Sequence, residues 1–148
     1  NPAAIENILT RVTGNNASNI FGTLGVLGNA NLFLINPNGI VFGPNASLNV
    51  GGSFVASTAE RFNLANGTQF SAIDPEAPPL LTVNVPLGLQ YGRNTASVQV
   101  QGTELLVSPG QNLALVGGDV SINGGRLQAP GGRIEVGGLA GAGTVELA

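Results

Sequence analysis

The chain has 148 residues, a net charge of -3 and a pI near 4.6; 43% of its residues are hydrophobic and only 9% charged. That length suits one domain with an ample core. The five cations, all arginine (Arg11, Arg61, Arg93, Arg126, Arg133), are too few and scattered to neutralise a phosphate backbone, which argues against a nucleic-acid partner.

Asn1-Pro2 places proline where the first position of a helix would accept it, so a short helix over 2–10 is permitted. The aliphatic and β-branched density from Ile8 to Val12 permits a strand equally well. Beyond this opening the chain is punctuated by twenty-three glycines and nine prolines, and short apolar runs fill the gaps. That pattern predicts many short strands joined by tight turns. Candidate strands fall at 31–35, 39–42, 47–50 and 53–57, and again at 113–116, 120–122, 126–128 and 133–136.

The strands recur. Leu32 and Phe54 stand 22 residues apart, Leu113 and Ile134 stand 21 apart, and the tripeptide VGG occurs at 50–52, 116–118 and 136–138, the last two 20 apart. Three short strands per cycle of about 20 residues is the signature of a β-solenoid, whose coils cannot bury an inner face alone and therefore stack. A sandwich of hairpins would need two-residue Asn-Gly or Asp-Gly turns between strictly alternating strands. Here the corners vary (NPNG, GPNA, VGG, INGG, APGG), so the solenoid is preferred. Seventeen asparagines fit it, because Asn tolerates corner conformations and stacked amides can form ladders between coils.

Residues 60–92 break the rhythm. Four of the nine prolines fall there (Pro75, Pro78, Pro79, Pro86), and the segment reads as an excursion from the solenoid. Side chains alternate along a strand; if Leu32 and Leu34 point inward, Phe33 and Ile35 point outward. The apolar series Leu80, Leu81, Val83, Val85, Leu87, Leu89 is expected to cover that outer face.

The stiffest local feature is Asn36-Pro37-Asn38-Gly39. Proline at the second position sets φ for a type I turn, Asn at the first accepts hydrogen bonds from the turn, and Gly is favoured at the fourth. The structural reading is a joint that sets the register of the flanking strands; the functional reading is a contact with a partner. Other chemistry is sparse. GGDVSINGG is similar to a calcium-binding β-roll repeat but lacks its second aspartate, and the sequons at Asn16, Asn45 and Asn66 match glycosylation acceptors by pattern only. Glu6, Glu60, Asp74, Glu76, Glu104, Asp119, Glu135 and Glu146 are scattered, with no His or Lys beside them. A polysaccharide-cleaving enzyme would need clustered carboxylates with a basic partner or metal, so no catalytic residue, metal site or cofactor is expected.

The stretch INPNGIVFGPNASLNVGGSFVAST resembles the two-partner secretion domain of large exported adhesins of the filamentous-haemagglutinin type. RVTG, SNIFGTL and NANLFLI precede it in the family's order, which makes an ordered match over 8–59. LLTVNVPLGLQYG and LLVSPGQNLALVGGDVSINGGRLQAPGGRIEVGG look like the version found in cyanobacterial exoproteins. The resemblance implies an all-β, right-handed parallel β-helix with an extra-helical excursion around 60–92, and a strand at 8–12. It implies one domain over 1–148, a fragment of a longer exoprotein that lacks the family's N-terminal cap and signal peptide; Asn1-Pro2 departs from the family's other turn motif, Asn-Pro-Asn-Leu. It also implies a secretion signal, recognised in the periplasm by the POTRA domains of a dedicated outer-membrane β-barrel transporter and seeding β-helix folding outside the cell. The protein is then expected to be a secreted or cell-surface monomer without a small-molecule cofactor. The rival readings are a plain shaft segment of an adhesin, which predicts equivalent coils throughout, and a glycan-binding β-helix, for which only Tyr91 suits sugar stacking.

Overall fold

A computed structural model of the chain describes residues 7–12, 14–25, 30–64, 69–71, 81–82, 86–91, 96–138 and 143–146. The apolar runs become strands and the Gly, Pro and Asn clusters become corners, with no helix among the described residues. Three strands make a coil. The first coil holds β1 (Asn7–Arg11), β2 (Ser18–Ile20) and β3 (Thr23–Gly25); the second holds β4 (Asn31–Ile35), β5 (Ile40–Phe42) and β6 (Ser47–Asn49). After β7 (Phe54–Ser57) the chain leaves through β8 (Arg61–Leu64), β9 (Gln69–Ser71), β10 (Leu81–Thr82) and β11 (Pro86–Tyr91). It re-enters to finish the third coil with β12 (Val98–Gln101) and β13 (Glu104–Leu106). The fourth coil is β14 (Leu113–Gly117), β15 (Val120–Asn123) and β16 (Arg126–Gln128), and β17 (Ile134–Gly138) begins a fifth before β18 (Gly143–Glu146).

Corresponding strands stack in parallel, which makes the molecule a β-solenoid. One face runs β10-β1-β4-β7-β14-β17, a second β2-β5-β12-β15, and the third is built from the pairs β3-β6 and β13-β16. On the first face Ile8, Leu32, Phe54, Leu113 and Ile134 lie in one register row. The step from Leu32 to Phe54 is 22 residues and from Leu113 to Ile134 is 21. The VGG triplets do not mark this period: Val116 pairs with Gly137, so the two later copies are one residue out of register. A spacing of 20 between them reflects glycine-rich strand ends, while the apolar rows carry the true step.

Leu32, Leu34, Phe54, Ala56, Leu113 and Leu115 point inward and join Ile40, Phe42, Val98, Val100 and Leu105 in one core cluster. Phe42 and Phe54 meet edge to face, with centroids 6.0 Å apart, the arrangement that aromatic quadrupoles favour. The other parity of the first face is buried too: Leu9, Phe33, Ile35, Val55, Ala114 and Val116 are all under a tenth exposed. A parallel sheet covered on both sides reads as continuous apolar sequence rather than alternation, hence NLFLI, FVAS and LALVG.

The excursion is a separate piece of architecture. β8, β9, β11 and β18 form an antiparallel sheet in the order β18-β11-β8-β9, and β10 adds antiparallel to β1. The expected cover of Phe33 by residues 80–89 concerns side chains outside those described. Exit and re-entry are tied together: the Thr58 hydroxyl donates to the Ala96 carbonyl at 2.7 Å. The third coil therefore continues from β7 to β12 as if uninterrupted. Residues 1–6, on which the permitted helix would begin, lie outside the described residues; from Asn7 the chain is a strand.

Candidate functional site

Asn36, Pro37, Asn38 and Gly39 form the corner between β4 and β5. The Gly39 N–H donates to the Asn36 carbonyl at 3.1 Å, closing a four-residue turn. Asn38 keeps a negative φ, as the third position of a type I turn requires. Gly39 has φ +119°, a conformation that side chains disfavour, and a β-carbon there would meet the Ser97 carbonyl oxygen at 3.4 Å and Ala17 Cβ at 3.5 Å.

Asn36 is wholly buried, and every polar atom of its amide is engaged. Its Oδ1 accepts from the Asn38 N–H at 3.0 Å. Its Nδ2 donates to the Asn16 carbonyl at 3.0 Å and to Ser18 Oγ at 2.8 Å, both on the neighbouring coil. The Asn16 carbonyl can only accept, which fixes the amide's orientation. Its backbone N–H donates to the Ser57 carbonyl of the third coil at 3.0 Å. Asn38 repeats the device nearer the surface, its Nδ2 donating to the Gly14 carbonyl at 2.7 Å. One corner thus binds three coils. Pro37 and Gly39 are buried with Asn36, and only Asn38 is partly accessible.

A second polar column runs where the strands of the first face begin. Asn31 Nδ2 donates to Asn7 Oδ1 at 3.0 Å, and Asn31 Oδ1 accepts from the Ser53 N–H at 2.8 Å. Ser53 Oγ accepts from the Asn112 N–H at 2.9 Å, and Asn112 Oδ1 accepts from the Arg133 N–H at 3.0 Å. The column passes a side-chain hydrogen bond from each coil to the next. Sequence reasoning expected asparagine ladders in general but missed this one. Its signal was present: each member directly precedes the first apolar residue of its strand, as Asn7-Ile8, Asn31-Leu32, Ser53-Phe54 and Asn112-Leu113.

The TPS secretion domain family matches this chain over residues 1–148. The chain belongs to that family. No curated protein matches it.

A TPS domain is the secretion signal of the two-partner pathway, so the protein is a secreted one whose partner is a two-partner secretion transporter. Within this TPS domain the carboxylates do not converge: among the described residues no group of three or more Asp, Glu, His or Cys could hold a metal ion. Glu104 pairs with Arg126 at 3.8 Å and Glu135 with Arg133 at 3.2 Å, both on the exposed surface. Glu6, Asp74, Glu76 and Arg93 lie outside the described residues. In this domain Asn36, Pro37, Asn38 and Gly39 do come together, as a buried knot.

Proposed function

We propose that this TPS domain is the secretion signal of a large adhesin of the filamentous-haemagglutinin type, in the form found in cyanobacterial exoproteins. The POTRA domains of its outer-membrane transporter recognise it in the periplasm while it is incompletely folded. It then folds at the cell surface or beyond and seeds the β-helix that follows. The chain acts as a monomer without cofactor, and no cysteine is present to lock a fold before passage. In this scheme the Asn36–Gly39 corner acts through folding.

The burial of Asn36 at the meeting of three coils supports that assignment. A buried amide with all its hydrogen bonds satisfied stabilises one register of the coils, and it offers a partner nothing while the fold is intact. The test is binding of the chain to purified POTRA domains, native and after dilution from denaturant, with and without Asn36→Ala. Binding that persists in the variant, together with slower or weaker refolding, is expected. Loss of binding by a variant that refolds normally would make the corner a contact instead.

A further inference from the structure

Asparagine followed by glycine is the dipeptide most prone to lose its side-chain amide, because glycine leaves the next backbone nitrogen unobstructed. The chain contains it three times, at Asn38-Gly39, Asn66-Gly67 and Asn123-Gly124. Asn66-Gly67 lies outside the described residues. The other two stand in opposite settings. Asn123 and Gly124 are both exposed, and the Asn123 Nδ2 donates to Ser121 Oγ at a long 3.4 Å. Gln101-Gly102, at the same corner one coil earlier, is exposed too, so this openness belongs to the corner and not to the last coils.

Asn38-Gly39 is held at every group the reaction uses. The Asn38 Nδ2 donates to the Gly14 carbonyl at 2.7 Å and to Asn36 Oδ1 at 3.2 Å. Its backbone N–H donates to the same Asn36 oxygen at 3.0 Å. Gly39 is buried, and its N–H is donated to the Asn36 carbonyl at 3.1 Å. To lose ammonia, the Asn38 side chain must leave both acceptors and turn its Cγ toward the Gly39 nitrogen. That nitrogen must in turn give up its hydrogen bond and its proton. Each motion opens the corner, so the reaction requires local unfolding.

We propose that Asn38 is a modification site gated by the fold: intact while the corner is folded, deamidated in a chain held unfolded, and a block to refolding once converted. In the unfolded chain the Gly39 nitrogen loses its proton and attacks Asn38 Cγ. The new C–N bond closes a succinimide as the side-chain amide leaves with that proton as ammonia. Water opening the ring at Cγ gives aspartate; water opening it at the Asn38 backbone carbonyl carbon gives isoaspartate. Neither product fits the corner. Aspartate sets a carboxylate against the Gly14 carbonyl and Asn36 Oδ1, which can only accept. The Asn36 amide cannot turn to donate instead, because its Nδ2 is committed to the Asn16 carbonyl and Ser18 Oγ. Isoaspartate adds a methylene to the main chain inside a four-residue turn. Chemical change in the unfolded state makes unfolding irreversible, so this corner sets a lifetime on the unfolded chain. The inference rests on the assignment of the corner to folding and uses nothing of the transporter reading.

The experiment incubates the 148-residue chain at mildly alkaline pH, folded and in guanidinium chloride above its unfolding midpoint. Peptide mapping by mass spectrometry follows aspartate and isoaspartate at each site. In the folded chain position 38 is expected to convert at least about tenfold more slowly than position 123, a factor that an opening cost of ~1.4 kcal/mol supplies. In denaturant the two are expected to convert at similar rates. After dilution, chains converted at 38 should collect in the fraction that fails to refold, while those converted only at 123 divide like unconverted chains. Asn38→Asp should lower the urea midpoint or prevent folding, and Asn123→Asp should leave the midpoint nearly unchanged. Conversion of 38 as fast as 123 in the folded chain overturns the gating. Refolding of chains converted at 38, or a parent-like midpoint for Asn38→Asp, overturns the block. If the unaltered chain does not refold from denaturant, the two conversion rates and the variant midpoints decide. A parent-like Asn38→Asp beside a weakened Asn36→Ala removes this inference and leaves the corner's role in folding intact.

Discussion

Four corners of the solenoid place proline second in a four-residue turn, and they divide into two kinds. In the second coil Pro37 and Pro44 are followed by Asn38 and Asn45, both at negative φ. In the third and fourth coils Pro109 and Pro130 are followed by Gly110 at φ +81° and Gly131 at φ +68°. The first kind are type I turns and the second type II. All four close with the same bond from fourth N–H to first carbonyl, at 3.0–3.1 Å. They differ in how they hold the next coil. The flipped central peptide of the glycine corners points along the axis, and the Gly110 N–H donates directly to the Pro130 carbonyl at 2.8 Å. The Asn36 corner has no such peptide and uses the Asn36 amide instead, while at the Gly43–Ala46 corner the Thr103 hydroxyl donates to the Ala46 carbonyl at 2.6 Å. Backbone stacking needs two adjacent coils of the same turn type. A side-chain bridge joins unlike corners, here Asn36-Pro37-Asn38-Gly39 to the irregular turn at Gly14–Ala17, and so depends on two residues, the buried Asn36 and, nearer the surface, Asn38.

That dependence sets the largest expected effect. Asn36→Ala removes a wholly buried amide and leaves the partly buried Asn38 N–H and the Asn16 carbonyl without their partner. Orphaned polar groups cost about 1–3 kcal/mol each, so the variant should lose about 3 kcal/mol in urea unfolding. Asn36→Gln should not restore it, because the longer amide cannot reach the same acceptors within the same cavity. Recovery by glutamine would show that the corner needs any amide, not this geometry.

Much of this fold was legible. The apolar rows of period 21–22 predicted the coils, and their strands fall where the runs do. The Asn36 turn was legible because proline and glycine leave its backbone few alternatives. Its partners were not: Asn16 and Ser18 are distant in sequence, and the Gly14-Asn15-Asn16 stretch signals a turn without saying which corner it stacks against. VGG misled because glycine recurs at strand ends where neighbours leave little room for a β-carbon, as at Gly52 and Gly117, while register is set by what the inward side chains touch. The opening permitted helix or strand by propensity, and from Asn7 to Arg11 pairing with β4 on one side and β10 on the other decided for strand, as tertiary context routinely does.

The glycine corners can be broken in two ways of different size. Gly132 lies outside the left-handed φ region, but a β-carbon there would run into the Gln111 carbonyl of the coil below. Gly132→Ala should therefore cost about 2 kcal/mol by overpacking against rigid backbone. Gly110 has open space around it, and its only demand is the left-handed φ. Gly110→Ala should cost about 1 kcal/mol, and Gly110→Asn less, since Asn tolerates that region. Equal losses for Gly132→Ala and Gly110→Ala in parallel urea titrations would contradict the division between contact and conformation.

The smallest effect should come from the surface charges of the same coils. Glu104 and Arg126 sit opposite each other on β13 and β16, 3.8 Å apart, with side chains 48% and 68% exposed. They join the third and fourth coils, as Asn36 joins the first and second, but in water. Solvent screens the attraction, and ordering two long side chains offsets most of what remains, leaving about 0.3 kcal/mol. Glu104→Gln should shift the urea midpoint by close to the error of the measurement, and added salt should erase even that. A loss comparable to Asn36→Ala would mean that coil stacking is held by charge at its surface, and the contrast between the two kinds of corner would lose its force. The expected ranking instead follows burial: the amide with no access to water holds its coils, and the ion pair with ample access adds little.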